Sequence, residues 1–493
     1  MNKAITTFLT EHADTNPVSF HMPGHKGSRI YRENGYGYFL DKIMDCDITE
    51  IPGADNLFQT EGIIAETMKK YESLYGVKKS YLLVNGSSGG LISAILACVR
   101  PGGKLIMARN SHKSIFNALG LASIEPVYAY PEEAEGCGIL GEITAEEIVR
   151  CMDDNPDADA VILPSPNYYG ICSNVRKIAE EVHKRGKVLI VDQAHGAHLR
   201  LFEKYAGSGA GCACAECGFP ESAETQGADI VINSIHKTLA SFTQSALLNL
   251  TSDRVNPFVM EDKLQTIESS SPSYPMMATL DINADLLENA GERLIRRWAD
   301  NLDYFYAEAG KIPGLSVLMP KNLDRTKLNI DMSAYGINGN ELEELLMERD
   351  IFIELVTGNI VMCMTGIGNN RGDYERLLAA LAEIAAQRQV EFKENAVRKR
   401  IEQPQVLTRI LEQRAVPTEK DFVPLKDAAG RVCASSIIPY PPGIPIVCPG
   451  EVIDEDVLEY IRERREAGEK VIGLTAEGTV CVGKQKKDAD MRK

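Results

Sequence analysis

Positive charge is what this sequence is short of. Its 493 residues carry 53 Lys and Arg against 70 Asp and Glu, a formal net charge of −17. Nucleic-acid binding draws on clustered cations that release counterions, so the composition argues against a phosphate-backbone partner. Long apolar runs are missing as well. The longest of note, Leu91–Val99, falls well short of the roughly 20 residues a membrane helix needs, which leaves no membrane partner. The start, MNKAITTFLTEHADTN, has no apolar signal region, and 12 cysteines in this length are too sparse for a disulfide scaffold. Reduced thiols and a cytoplasmic location are the expectation. No internal repeat or low-complexity tract is present, and 44 % hydrophobic with 25 % charged residues excludes a disordered chain.

What is there is too long for one core, since cores stop growing beyond about 250 to 300 residues, so two or three domains are expected. Between about Tyr81 and Leu250, short apolar runs alternate with helical patterns: Tyr81–Val84, Lys104–Met107, Ala160–Leu163, Val188–Val191, Ile230–Asn233 and Ala246–Leu250. Near-continuous Val, Ile and Leu runs of this length predict strands buried on both faces of a mostly parallel sheet, in an α/β fold. A connecting helix is expected over Leu280–Ala309, then a smaller α/β unit with a strand at Lys327–Met332, helices at Asn340–Glu348 and Tyr374–Ala386, and strands within Ile351–Met364. The segment Val390–Gln413 reads as a charged helix, and a last helix falls near Asp454–Ala467.

Ligands of an open parallel sheet bind beyond the carboxyl ends of its strands, so the residues after each run are the ones to inspect. After Tyr81–Val84 comes Asn85-Gly86-Ser87-Ser88-Gly89-Gly90. Small residues opening a helix leave N–H groups free, and with two hydroxyls they suit a phosphate dianion. A glycine turn with a capping serine is the plainer alternative, and the absence of a lysine after the glycines excludes a Walker loop. The run Lys187–Val191 ends in Asp192, followed by Gln193-Ala-His195-Gly-Ala-His198. A carboxylate at the end of a buried strand needs a cation or a donor.

The strand Ile230–Asn233 ends in Ser234-Ile-His236-Lys237-Thr238. Taken singly, Lys237 reads as a solvated lysine; at a strand end it can lose its proton to burial and become a nucleophile. Arg109-Asn-Ser-His112-Lys113-Ser114 comes after another strand and offers an imidazole able to stack on an aromatic ring. Phosphate cradle, strand-end Asp and strand-end Lys, in that order, are the three handles that pyridoxal phosphate requires for its phosphate, ring nitrogen and aldehyde.

These residues resemble the Orn/Lys/Arg decarboxylase family. The likeness extends to His21-Met-Pro-Gly-His-Lys-Gly27, Asp47-Ile-Thr-Glu-Ile-Pro-Gly53, Asn85–Ser88, Asn110–Ser114, Asp192–His195, Ser234–Thr238, Tyr440-Pro-Pro-Gly-Ile-Pro445 and Pro449-Gly-Glu451, nearly the whole chain. The resemblance implies a fold-type I pyridoxal-phosphate-dependent enzyme, a transferase-like α/β fold with a C-terminal α+β domain. It divides the chain into an N-terminal segment at 1–60, a cofactor-binding large domain at 61–280, a small α/β domain at 281–395 and a C-terminal domain at 396–493.

It also implies roles. Lys237 carries the cofactor as a Schiff base, Asp192 pairs with the ring nitrogen, and His112 stacks on the ring. Ser87, Ser88, Ser234 and His236 hold or flank the phosphate, and His195 packs beside the cofactor. Ser269 or Ser270 resembles a segment that reaches the phosphate from a neighbouring subunit, and Glu451 a glutamate near the substrate's distal cation. Either Lys237 or His236 returns the proton to Cα. The implied reaction is decarboxylation of a basic amino acid, with arginine first, lysine second and ornithine third, in a short form lacking an N-terminal receiver-like domain. The implied assembly is a homodimer or a dimer of dimers with sites at the subunit interface.

Two other functions stay open on the residues. One is an aminotransferase or lyase of the same fold, in which Arg371 would clamp the α-carboxylate. The other is a non-catalytic cofactor-binding regulatory partner. Cys212, Cys214 and Cys217 lie close together, but no fourth ligand is evident and the spacing is not that of paired C-x2-C motifs, so a reduced loop without metal is expected.

Overall fold

The computed structural model describes residues 4–134, 136–206, 218–388, 411–440, 445–466, 470–475 and 477–484. After β1 (Val18–Phe20), the chain builds a seven-stranded sheet from β2 (Lys79–Leu83), β3 (Lys104–Ala108), β4 (Glu125–Ala129), β5 (Ala160–Pro164), β6 (Val188–Asp192), β7 (Ile230–Asn233) and β8 (Ala246–Leu250). The order across the sheet is β2-β8-β7-β6-β5-β3-β4. β8 alone runs against its neighbours, so the other strands all point their carboxyl ends to one edge.

Alternation explains why the runs read as continuous. Leu105 and Met107 of β3 face Leu91, Ile95 and Ile115 on one side, while Ile106 and Ala108 join Ile148, Ile178 and Val182 on the other. Both faces are covered by helices, so the central strands are mostly apolar, and the buried amides they carry, Asn233 and Asn249, are hydrogen-bonded to Glu224. Each fully buried Leu, Ile or Met side chain contributes about 1.5–3 kcal/mol.

The helix Tyr274–Ala309 begins six residues before the expected Leu280, because Ser273 caps it by accepting from Met276 N–H and Pro275 fits the first turn. Trp298, 1 % exposed, anchors it by donating to Thr365 Oγ1 at 2.9 Å. Beyond it lie β9 (Ser316–Val317), β10 (Lys327–Asp331), β11 (Ile351–Ile353), β12 (Leu355–Thr357) and β13 (Ile360–Met364), with helices at Gly339–Met347 and Arg371–Gln387. Four of these strands make an antiparallel sheet, β12-β13-β10-β9, while β11 pairs in parallel with β1 near the start of the chain.

The C-terminal region has its own α+β core, in which the helix Glu455–Glu466 packs Val457, Leu458 and Ile461 against Val480 and Val482 of the strand Thr479–Gly483. Most of Val390–Gln413, residues 441–444 of the Tyr440 motif, and Cys212, Cys214 and Cys217 lie outside the described residues. Among the described residues no helix is long and apolar enough to cross a membrane.

Candidate active site

At the carboxyl edge of the large sheet, the segments leaving β2, β3, β5, β6 and β7 line a partly open cavity. Ser87, Asn110, His112, Asp192, His195 and Lys237 line it, with a wall of Pro164, Pro166, Asn167 and Tyr168 after β5. That wall went unread in the sequence, although the strand-end rule points to it.

Lys237 sits in the turn after β7, with Nζ 3.1 Å from His195 Nε2. Burial pushes the amine below its ordinary value, opposed by the negative fields of Asp192 and Glu354. A larger neutral fraction makes it a better nucleophile. Asp192 ends β6 and accepts from Ala194 N–H at 3.1 Å; burial raises its pKa, and Lys237 partly offsets this. A desolvated carboxyl of this kind gains from a cationic ring nitrogen set against it.

Ser87 and Ser234 come from different strand ends and meet through a 2.8 Å hydroxyl–hydroxyl bond at the start of the helix Gly86–Cys98. Asn85 opens this helix without a side-chain cap, and Gly86 takes φ of +72°, a conformation glycine adopts without strain. Ser88 occupies the next position in the same first turn.

His112 Nδ1 caps the helix Lys113–Ala122 by accepting from Ser114 N–H at 3.3 Å and lies 2.8 Å from Ser114 Oγ. Burial, then Lys237 and Lys113, bring its pKa down to about 3, so the ring is a neutral flat surface. His195 stands 4.9 Å from the Tyr168 ring, its Nδ1 is buried without a partner, and its carbonyl accepts from Lys327 Nζ at 2.7 Å. Lys327 Nζ in turn donates to Asp324 at 2.8 Å, beside His198 at 3.0 Å from the same oxygen, in a cluster with no solvent exposure.

Several expected residues fall elsewhere. His236 donates from Nδ1 to Ser245 O at 2.9 Å and is not part of the cavity lining. Ser270 is exposed, Ser269 bonds locally to Ser271, and neither lines the cavity of its own chain. Glu451 needs correction as a substrate carboxylate. It has no solvent exposure, it is not part of the cavity lining of its own chain, and its charge is paired with Arg109 through both oxygens at 2.7 and 2.8 Å. Arg371 stacks on Tyr304 at 3.9 Å rather than reaching the cavity.

Two carboxylates were missed. Glu354, between β11 and β12, accepts from Met22 N–H at 3.0 Å, and its charge bears on both Lys237 and Lys26. Glu268 Oε2 accepts from Val84 and Asn85 N–H at 2.9 and 2.8 Å, just ahead of the Ser87 turn. Its Oε1 is buried without a partner, and burial pushes the carboxyl up to about 7. A Cβ at Gly89 would come within 2.6 Å of that oxygen, so any larger residue there would push the Glu268 carboxyl aside.

Paired hydroxyls at an uncapped helix start, a carboxyl at the end of a strand, a desolvated amine and a neutral imidazole fit the phosphate, ring nitrogen, aldehyde and ring face of pyridoxal phosphate. Comparison with known proteins agrees. The profile described as "Orn/Lys/Arg decarboxylase, major domain" matches residues 4–327, and "Orn/Lys/Arg decarboxylase, C-terminal domain" matches 391–490. Similar relatives include "Arginine decarboxylase" of Halalkalibacterium halodurans, 32 % identical over 479 residues and covering 94 % of both chains. "Arginine decarboxylase" of Bacillus anthracis is 29 % identical over 482 residues, covering 95 % of this chain and 94 % of its own. Among solved structures, "Lysine decarboxylase A from Pseudomonas aeruginosa" superposes with a TM-score of 0.73 at 21 % identity, over 97 % of this chain and 80 % of that one, which supports the fold. The chain is thus a pyridoxal-phosphate-dependent decarboxylase of basic amino acids and belongs to the Orn/Lys/Arg decarboxylase family.

Proposed function

We propose that this enzyme converts arginine to agmatine and CO2, with lysine the second and ornithine the third substrate. The reaction rests on one observation: Lys237, desolvated and 3.1 Å from His195, shares a cavity with Asp192, Ser87 and His112. Arginine ranks first because full-length relatives at about 30 % identity carry that name.

Bound pyridoxal phosphate supplies an electron sink for the pair left behind when the Cα–carboxylate bond breaks. The chain does the rest. Ser87, Ser88 and Ser234, with the free N–H groups at the helix start, hold the phosphate. Asp192 would favour a proton on the ring nitrogen, and the flat imidazole of His112 would lie against the ring. Lys237 Nζ, which lines the cavity where His236 does not, returns the proton to Cα. For the substrate's distal cation, the role first given to Glu451, we infer Glu354, which lies outside the cavity lining of its own chain but close enough for its charge to act on Lys237.

The assembly we infer is a homodimer or a dimer of dimers. Ser270 is exposed on its own chain, and the Asp47–Gly53 segment exposes Ile48 and Ile51 at 38 % and 54 %, both suited to meeting a partner. We place the protein in the cytoplasm, in keeping with the nine described cysteines, all free.

Incubation with arginine, lysine and ornithine in turn, scoring agmatine, cadaverine, putrescine and CO2, tests the substrate. Keto-acid formation without CO2 would overturn the reaction. Borohydride treatment of the holoenzyme should fix a pyridoxyl group on Lys237, and its absence there would overturn the site.

A further inference from the structure

Next to the cavity wall in the chain, two charged side chains meet out of reach of solvent. Arg109, directly after β3, is 2 % exposed, and Glu451, in the C-terminal region, is 0 % exposed. Arg109 Nε and Nη2 donate to the two carboxylate oxygens at 2.7 and 2.8 Å, while Nη1 and Nη2 donate to Pro445 O and Ile446 O, each at 2.7 Å. Cys448 N–H adds a 2.8 Å bond to Glu451 Oε2. Every guanidinium nitrogen is engaged, and a planar fork on a carboxylate fixes orientation as well as distance.

The residues next to Arg109 in the chain connect this pair to the cavity. Asn110, 3 % exposed, lines the cavity with its Oδ1 buried and unpartnered, and His112 lines it two residues later. An unpartnered buried amide oxygen on a residue that lines a ligand cavity is an acceptor available to what the cavity holds. Arg109 N–H donates to Ala129 O at 2.8 Å and Ser111 N–H to Ala108 O at 3.1 Å, so the segment has little freedom once the guanidinium is clamped. On the other side, the Tyr128 hydroxyl donates to Pro449 O at 3.1 Å and Gln413 Nε2 to Pro126 O at 2.8 Å, joining the C-terminal region to β4.

We propose that Arg109 and Glu451 are positioning residues: through them the C-terminal region sets the Asn110–His112 wall against the bound ligand. The clamp controls how long the cofactor stays and how it is seated, although neither residue touches it. The proposal rests on the placing of the cofactor beside His112 and Lys237 given above.

The test uses the holoenzyme and reads cofactor release into a phosphatase trap, the circular dichroism of the bound cofactor, and kcat separately from KM. Glu451→Gln and Arg109→Lys should keep the far-ultraviolet spectrum, release cofactor roughly tenfold faster or more, weaken the induced dichroism and lower kcat more than they raise KM. Ile461→Ala, in the C-terminal core and without a hydrogen bond to Arg109 or Glu451, controls for simple loss of stability; it should lower Tm without changing release or dichroism. If Glu451→Gln lowers Tm but leaves release and dichroism at wild-type values, the pair is only a structural tie and the proposal falls. Should the pair variants not fold, Asn110→Ala leaves the clamp intact and should itself speed release; unchanged release there also overturns the proposal. His112→Ala separates the two levels, because unchanged dichroism in that variant refutes the seating of the cofactor rather than the clamp.

Discussion

Replacing Glu268 by Gln isolates the effect of one buried charge. The carboxyl is 7 % exposed, accepts two backbone N–H groups through Oε2 and leaves Oε1 unpartnered. Its ordinary value of 4.5 rises to about 7, because burial outweighs the two N–H donors. At about 1.36 kcal/mol per tenfold change in proton affinity, the displacement is worth roughly 3 kcal/mol. Proton counts set the sign. Below about pH 4.5 folded and unfolded chains both hold the proton; between there and about pH 7 only the folded chain does, so stability falls as pH rises, and above pH 7 the loss is complete. Gln keeps an acceptor for Val84 and Asn85 N–H but cannot ionise. Urea midpoints of both proteins near pH 5 and near pH 8 measure the difference. The variant should match wild type closely at the lower pH and exceed it by up to about 3 kcal/mol at the higher. An equal gap at both pH values would refute the reasoning.

Asp192→Ala should retain cofactor absorbance while turnover drops by about 10²- to 10⁴-fold; near-wild-type turnover rules out its assigned role. Lys327→Met leaves Asp324 buried with only His198 and Thr326 beside it, so chemical denaturation should show a loss of about 3–5 kcal/mol, and a loss under about 1 kcal/mol would sink that account. Glu354→Gln removes the charge proposed for the distal cation and should raise KM about 10- to 100-fold with an unchanged cofactor spectrum. An unchanged KM returns the question of substrate recognition to other residues.

The central strands were legible because burial on both faces leaves an unbroken apolar run, and four strand-end segments then pointed to one edge. β4 was not seen, since Glu125 and Pro126 dilute its pattern at a sheet edge where both are tolerated. Nor was the reversed direction of β8, because an apolar run carries no polarity. Of the site, Ser87, His112, Asp192, His195 and Lys237 were found from strand ends and motifs, and the cavity brings them together. Glu451 shows the limit: a motif located the residue, but its partner Arg109 lies 342 positions away and only folding reveals the pairing. Glu268 and Glu354 escaped for the same reason, their backbone partners being 184 and 332 positions distant.

That last separation has a consequence for how the protein is made. β1 pairs with β11, and the residues just after it, through Gly24, bond to the turn that carries Lys237 (Gly24 N–H to His236 O, 2.6 Å) and to Gly368. The ribosome therefore releases the amino-terminal stretch long before its binding groove exists. Residues 18–24 have to stay undocked until the polypeptide through Gly368 has emerged, so they join the Lys237 turn only after the segments they bind have been made.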